Sequence, residues 1–203
     1  MPSKSKTKGN KFENDMVKVL NEAYGIEEFS RTPNSGAIMG RTNWGRKAGL
    51  SEDVKRTLGS DLIVPNDFKF AVECKHYADT PNYSQIIKGP DSFLTHWLAE
   101  VVFDAVNLKL HPLLFFKTNR KGIHFAVPEY FWITCEQYEG CNTNDLMGEY
   151  FTHYGPFVIS GLDTFVKNAE AFQIIANMPT YDSCRRDWFA RSDVQQLLDE
   201  LKD

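Results

Sequence analysis

Gly59-Ser60-Asp61-Leu62-Ile63-Val64 and, after a short break, Phe70-Ala71-Val72-Glu73-Cys74-Lys75 decide how this chain reads. Two apolar runs flank Pro65-Asn66-Asp67, a stretch with turn chemistry, so the spacing predicts a β-hairpin with a longer loop. Side chains alternate faces along a strand. Phe70, Val72 and Cys74 fall on one side, suited to a core, and Ala71, Glu73 and Lys75 on the other. Asp61 approaches from the neighbouring strand. Two carboxylates on one side of a hairpin repel unless positive charge lies between them. A divalent cation supplies it: Mg²⁺ takes oxygen ligands and usually keeps several waters. Lys75 then lies where a water or phosphate oxygen needs a cation. The plainer reading of the same residues is a solvated Glu–Lys pair of little energetic worth.

Composition bounds the rest. The 203 residues suit a single domain, and 42% hydrophobic with 13% aromatic content supports a sizeable core. No apolar run approaches the roughly 18 residues of a membrane span. The start, Met1-Pro2-Ser3-Lys4-Ser5-Lys6-Thr7-Lys8, is basic but lacks the apolar segment of a signal peptide. Cys74, Cys135, Cys141 and Cys184 form no Cys-x-x-Cys pair, and Cys74 lies on the core side. They read as reduced thiols of a cytoplasmic protein, without zinc. The net charge of −4 is uneven: residues 1–60 carry 11 Lys and Arg against 7 Asp and Glu, and residues 61–203 carry 12 against 20. The N-terminal third is therefore the candidate phosphate-facing surface.

In chain order, residues 1–9 read as a flexible basic tail. A first helix is predicted from Asn10 to Tyr24, with Phe12, Met16, Val19, Leu20 and Ala23 as its apolar stripe and Gly25 as its stop. Glu13 stands at capping-box spacing from Asn10. Alternatively it projects toward Asp61 and Glu73 as a further acidic group. Residues 29–60 read mostly as loop. Arg31 and Ser35 suit phosphate contacts, Arg31 as a bidentate partner. Arg41, Trp44, Arg46 and Lys47 form a basic loop with one aromatic, which suits a nucleic-acid backbone or an exposed base. Ser51–Leu58 reads as one or two helical turns. His76 reads as a neighbour of the motif. A long helix runs from Pro90-Asp91 to Leu108, with Trp97 in its apolar stripe. Leu113–Lys117 and Ile123–Val127 flank a turn and form a hairpin. Beyond it, Tyr130–Ile133 reads as a strand, Tyr154–Ile159 as an edge strand and Leu162–Asn168 as the start of a helix. Ser192 caps a last helix.

The pattern Asp61, eleven residues, Glu73-Cys74-Lys75 resembles the PD-(D/E)XK nuclease superfamily, with Ser60 where the nominal motif has Pro. Lys8-Gly9-Asn10-Lys11-Phe12-Glu13 resembles the opening of archaeal-type and phage Holliday junction resolvases, and Arg31 and Ser35 match the stretch that follows it there. The resemblance covers about residues 8–127. It implies an α/β restriction-endonuclease-like core over residues 10–127: α-β-β-β-α-β, a mixed central sheet flanked by helices. Residues 128–203 would be a C-terminal α+β extension packed on that core. It implies Mg²⁺, with Mn²⁺ able to substitute, held by Asp61, Glu73 and the Cys74 backbone carbonyl, with Glu13 completing the acidic cluster. Lys75 would orient the attacking water or neutralise charge at the phosphate. It also implies a homodimer cutting branched DNA. A restriction-like or recombination-linked nuclease acting on duplex DNA is the alternative, and a non-cleaving DNA-binding protein of the same fold is a further one.

Overall fold

The strand β3 (Phe70–Tyr77) obeys the alternation, and both of its faces are covered. In the computed structural model, which describes residues 4–33, 51–77, 93–119, 121–143, 146–152 and 155–191, β3 pairs in parallel with β4 (His111–Thr118). The register sets Glu73 against Leu114 and Lys75 against Phe116. The crossover between them carries a helix, α3 (Phe93–Leu108), as a parallel connection requires. The β4 strand then turns back into the antiparallel β5 (Ile123–Pro128), the hairpin that the sequence predicts. Two later strands, β6 (Leu146–Thr152) and β7 (Gly155–Gly161), complete a mixed sheet of order β3-β4-β5-β7-β6. Among the described residues the site-bearing β3 is thus an edge strand.

The helix α1 (Lys4–Tyr24) covers one face of the sheet. Phe12, Met16 and Leu20, four residues apart, are fully buried against Phe70, Val72, Cys74, Leu113 and Phe115. On the other face, Leu94, Trp97, Leu98, Val101 and Val102 of α3 pack against Leu114, Phe116 and Ala126. Consecutive strand residues therefore feed opposite cores, which is why β4 reads as an unbroken apolar run. Burying each such Phe or Leu stabilises the fold by about 1.5–3 kcal/mol. Tyr77 and Phe116 flank the Trp97 ring, which is a core residue. This two-sided cover puts Glu73 and Lys75 on the α3 side of the sheet.

A second device brings the loop back beside α1. Gly25 takes φ of 65°, and the Ile26 N–H donates to the Asn21 carbonyl at 3.0 Å, ending the helix in a left-handed turn. The Asn21 side chain then donates to the Phe29 carbonyl and accepts from the Phe29 N–H. So anchored, β1 (Ser30–Arg31) pairs antiparallel with β2 (Leu62–Ile63) as a separate two-stranded sheet. Between them lies α2 (Glu52–Leu58), capped by the Ser51 hydroxyl.

Several expectations change. The predicted hairpin of 59–64 with 70–75 does not form as a ladder, because β2 pairs with β1 instead. The first helix begins at Lys4, so residues 4–9 are helical and Glu13 sits in the third turn, away from any capping box. Tyr130–Ile133 belongs to a helix, α4 (Glu129–Gln137), whose Phe131, Trp132 and Cys135 are buried at helical spacing. The β7 strand lies inside the sheet, and β6, which the sequence reading missed, takes the edge. The short helices α5 (Leu162–Lys167) and α6 (Ala169–Ala176) and the helix α7 (Pro179–Phe189) close the first face and the far end. The helix expected after Ser192 lies outside the described residues. All four cysteines are free thiols. Among the described residues no helix is long and apolar enough to cross a membrane.

Candidate active site

Asp61 is held by three hydrogen bonds, two of them to the open edge of β3 and one to the residue after β1. Its backbone N–H donates to the Val72 carbonyl at 3.0 Å, and its own carbonyl accepts from the Thr32 N–H at 2.9 Å. Its carboxylate Oδ2 accepts from the Cys74 N–H at 2.9 Å. One residue and its side chain thus occupy the place of a partner strand. The buried Ser60 hydroxyl donates to the Leu62 carbonyl at 2.8 Å, bracing the turn in the position where the nominal motif has Pro. Gly59 is required just before it: a Cβ there would lie 2.6 Å from the Lys55 carbonyl oxygen and 2.7 Å from the Leu108 side chain. A strand residue's N–H and C=O project to the same side. The Cys74 carbonyl therefore points to the same edge as Asp61.

Glu73 and Lys75 leave β3 side by side on the face that α3 covers. The Lys75 Nζ lies 2.5 Å from Glu73 Oε1 and 2.6 Å from Glu100 Oε2. Glu100, on α3, also meets His96 one turn back, with Nε2 at 3.3 Å from Oε1. On the α1 side, Glu13 Oε2 lies 3.2 Å from the Arg31 guanidinium. That ion pair follows from the Asn21 anchor and the β1–β2 pairing, which bring Arg31 alongside α1.

The electrostatics of these groups share one direction. Burial, then repulsion from Asp61, raises the Glu73 carboxyl well above the usual range, against the pull of Lys75. Asp104, one turn beyond Glu100 on α3, adds to that repulsion. Glu13 is raised by burial and by Asp61, and Arg31 offsets this only in part. Burial opposes the Lys75 charge, but Glu73 and Glu100 outweigh it and hold the ammonium above its ordinary range. Burial and the surrounding carboxylates also raise the Cys74 thiol, which is therefore no nucleophile. Carboxylates and ammonium alike favour more positive charge at this edge.

The structure places Asp61, Glu73, Lys75 and the Cys74 carbonyl at one end of β3, with Glu13 within electrostatic reach of Asp61. Arg31 is turned inward to Glu13. Ser35, Arg41, Trp44, Arg46 and Lys47 lie outside the described residues. His76 is a neighbour, edge-on to Phe12 and 3.3 Å from Asn119 Oδ1 through Nε2. Glu100, His96 and Asp104 were missed. Their spacing of four residues along a mostly apolar helix was the available signal. As the side chains stand, no group of three or more His, Cys, Asp or Glu among the described residues is gathered to hold a metal ion. Glu13 is engaged with Arg31, and Glu73 with Lys75. The donor chemistry nevertheless fits a hard cation: Asp61, Glu73 and the Cys74 carbonyl offer only oxygen, at an edge short of positive charge.

A family model described as "Phage putative PDDEXK endonuclease" matches residues 4–176. The match runs from the start of α1 to the end of α6, so β6 and β7 fall within the family unit. Comparison with curated proteins and with solved structures gave no match.

Proposed function

Because the chain belongs to this family of PD-(D/E)XK endonucleases, we propose that it hydrolyses DNA phosphodiester bonds at the edge of β3, using a divalent metal. The observation that carries the reading is the Asp61 carboxylate held on the Cys74 N–H, beside Glu73 and Lys75 on the same short strand. Asp61, Glu73 and the Cys74 carbonyl would hold Mg²⁺, or Mn²⁺ in its place, with Glu13 completing the acidic set. Such an ion, when bound, polarises the scissile phosphate and lowers the pKa of an attacking water. Asp61 is pre-placed by backbone contacts and needs no rearrangement. To serve as a ligand, Glu73 would have to give up its hold on Lys75. Lys75 donates hydrogen bonds from its ammonium to the phosphate oxygens or the incoming water and counters the charge that develops at phosphorus. Glu13, within electrostatic reach of Asp61, adds negative charge that favours a cation, and Arg31 limits its repulsion toward DNA.

Within that class, branched DNA is the favoured substrate and a homodimer the acting form. Two opposed strands need two active sites, and a symmetric pair supplies them. The support is the resemblance of residues 8–36 to junction resolvases and the basic excess of the first 60 residues. The test is incubation with Mg²⁺ and matched duplex, nicked, flap and four-way-junction DNAs. Asp61→Asn and Glu73→Gln each abolish cleavage and keep DNA binding. Variants that cut at near wild-type rates would sink the site assignment. Equal affinity for junction and duplex across a salt titration, or a strictly monomeric protein, would move the substrate to duplex DNA.

A further inference from the structure

We infer that Glu100 is a positioning residue for Lys75, holding its ammonium in place when Glu73 turns to the metal; the inference rests on the nuclease reading above. A lysine is a charge with three donors on a flexible four-carbon stem, and one partner does not fix it. Here it has two partners, from different elements. Glu73 lies beside it on β3, and Glu100 reaches it from α3 across the face of the sheet. The two carboxylates differ in what else they are asked to do. Glu73 stands next to Asp61 and belongs to the proposed ligand set. Glu100 belongs to α3, and its Oε2 is buried against the ammonium while Oε1 meets His96. The loss of Glu73 as a partner therefore leaves Lys75 still tethered, at the right end of the strand, by a group with no ligand duty.

The placement of Glu100 is hard to account for by stability. It lies in the polar stripe of His96, Glu100 and Asp104, at the rim of a face whose members, Leu94, Trp97, Leu98, Val101 and Val102, are buried. A half-buried ion pair at the rim of an apolar face forfeits hydration and returns little, and an apolar side chain there does as well or better. A role tied to Lys75 explains both the carboxylate and its orientation. The i, i+4 contact from His96 fixes the Glu100 rotamer, so the chain of contacts runs His96, Glu100, Lys75, Glu73.

The test uses the full-length chain and two replacements that both remove the contact: E100A, and E100L, which extends the apolar stripe of α3 and favours folding. E100Q keeps an oxygen that accepts from the ammonium. In metal-free protein, the Lys75 ammonium is followed by lysine-selective ¹⁵N NMR and assigned by its loss in K75M. It stays visible in E73Q, where Glu100 alone holds it, and broadens into solvent exchange in E73Q/E100A and E73Q/E100L. With Mg²⁺ and the DNA that the wild type cuts best, E100A and E100L lower kcat about 30-fold with KM for DNA unchanged, as expected when a reacting group is misplaced rather than deleted. E100Q recovers most of kcat. A persistent Lys75 signal in the double variants, or wild-type kcat in both E100A and E100L, overturns the inference. If D61N and K75M also cut at the wild-type rate, or the wild type cuts no DNA, the nuclease reading fails instead, and the metal-free NMR comparison still judges the tether.

Discussion

His111 should make this protein acid-sensitive. It opens β4, opposite Phe70 in the register, and is almost wholly buried. Its Nδ1 lies 3.2 Å from the Tyr130 hydroxyl, and its ring packs near Phe70 and Phe131. The ring also bonds to the Ala176 backbone at the end of α6. A neutral imidazole accommodates both, accepting from Tyr130 and donating to the Ala176 carbonyl. Burial, reinforced by the nearby Arg185 charge, pushes its pKa down to about 3 from an ordinary 6.5. The unfolded chain thus takes up a proton below pH 6.5 that the folded chain refuses until about pH 3. The stability associated with neutral His111 is complete above pH 6.5 and drains away as pH falls toward 3. At about 1.4 kcal/mol per pH unit, roughly 2 kcal/mol is lost between pH 7.5 and pH 5. The assay is urea unfolding of wild type and His111→Gln at both pH values. Glutamine can accept from Tyr130 and donate to Ala176 but cannot titrate. The variant's stability loss on acidification should be smaller than the wild type's by about 2 kcal/mol, the contributions of the carboxylates cancelling in the comparison. Equal losses in the two proteins would refute the assignment of a buried neutral His111.

Three further outcomes follow from the site. Glu13→Gln should lower turnover at least about tenfold while the melting temperature holds or rises, since burial and Asp61 already disfavour its charge; unchanged turnover with a lower melting temperature would assign Glu13 to its Arg31 pair alone. Gly59→Ala should cost about 1–3 kcal/mol in denaturant unfolding, because its Cβ meets the Lys55 backbone as well as Leu108, and an unperturbed midpoint would show that α2 can yield. Asp61→Asn should leave stability within about 0.5 kcal/mol, because an amide oxygen still accepts the Cys74 N–H, while Asp61→Ala should lose about 1 kcal/mol or more; equal stabilities would mean that the hydrogen bond to the strand edge contributes nothing.

Much of this arrangement was legible in the sequence because it obeys short periods. The period of two in Phe70-Ala71-Val72-Glu73-Cys74-Lys75 placed Glu73 and Lys75 together, and the stripes of α1 and α3 announced their buried faces. The β4–β5 hairpin had its turn chemistry in plain view. What failed were choices between partners of similar local pattern. Nothing in Leu62-Ile63-Val64 says whether it pairs with 70–75 or with Ser30-Arg31, and the deciding contact is the Asn21 side chain on the Phe29 backbone, a tertiary event. Tyr130–Ile133 has strand-favouring residues, but Phe131 and Cys135 fill the space between Phe70 and α6 only from a helix. Glu100 was missed for another reason. A carboxylate in the polar stripe of an amphipathic helix reads as solvated surface, and only the sheet beneath it shows which lysine it meets.

The position of the site follows from the sheet order. An edge strand exposes a row of backbone groups that invites pairing with another chain. On β3 that row is used: Val72 offers its carbonyl to the Asp61 N–H, Cys74 offers its N–H to the Asp61 carboxylate, and the Cys74 carbonyl faces the same way. A central strand has no such groups to give, so a backbone oxygen and two acidic side chains can converge only at an edge. Burying these carboxylates, and crowding them together, is destabilising by itself, as the raised Glu13 and Glu73 show. It is tolerable because β3 is held from both faces, by Phe12 and Met16 of α1 on one side and the apolar stripe of α3 on the other. The two helices that bury the strand also bring the charges that flank it, Glu13 from α1 and Glu100 from α3. One pair of packing surfaces therefore sets both the stability of the edge strand and the electrostatics of the chemistry proposed for it.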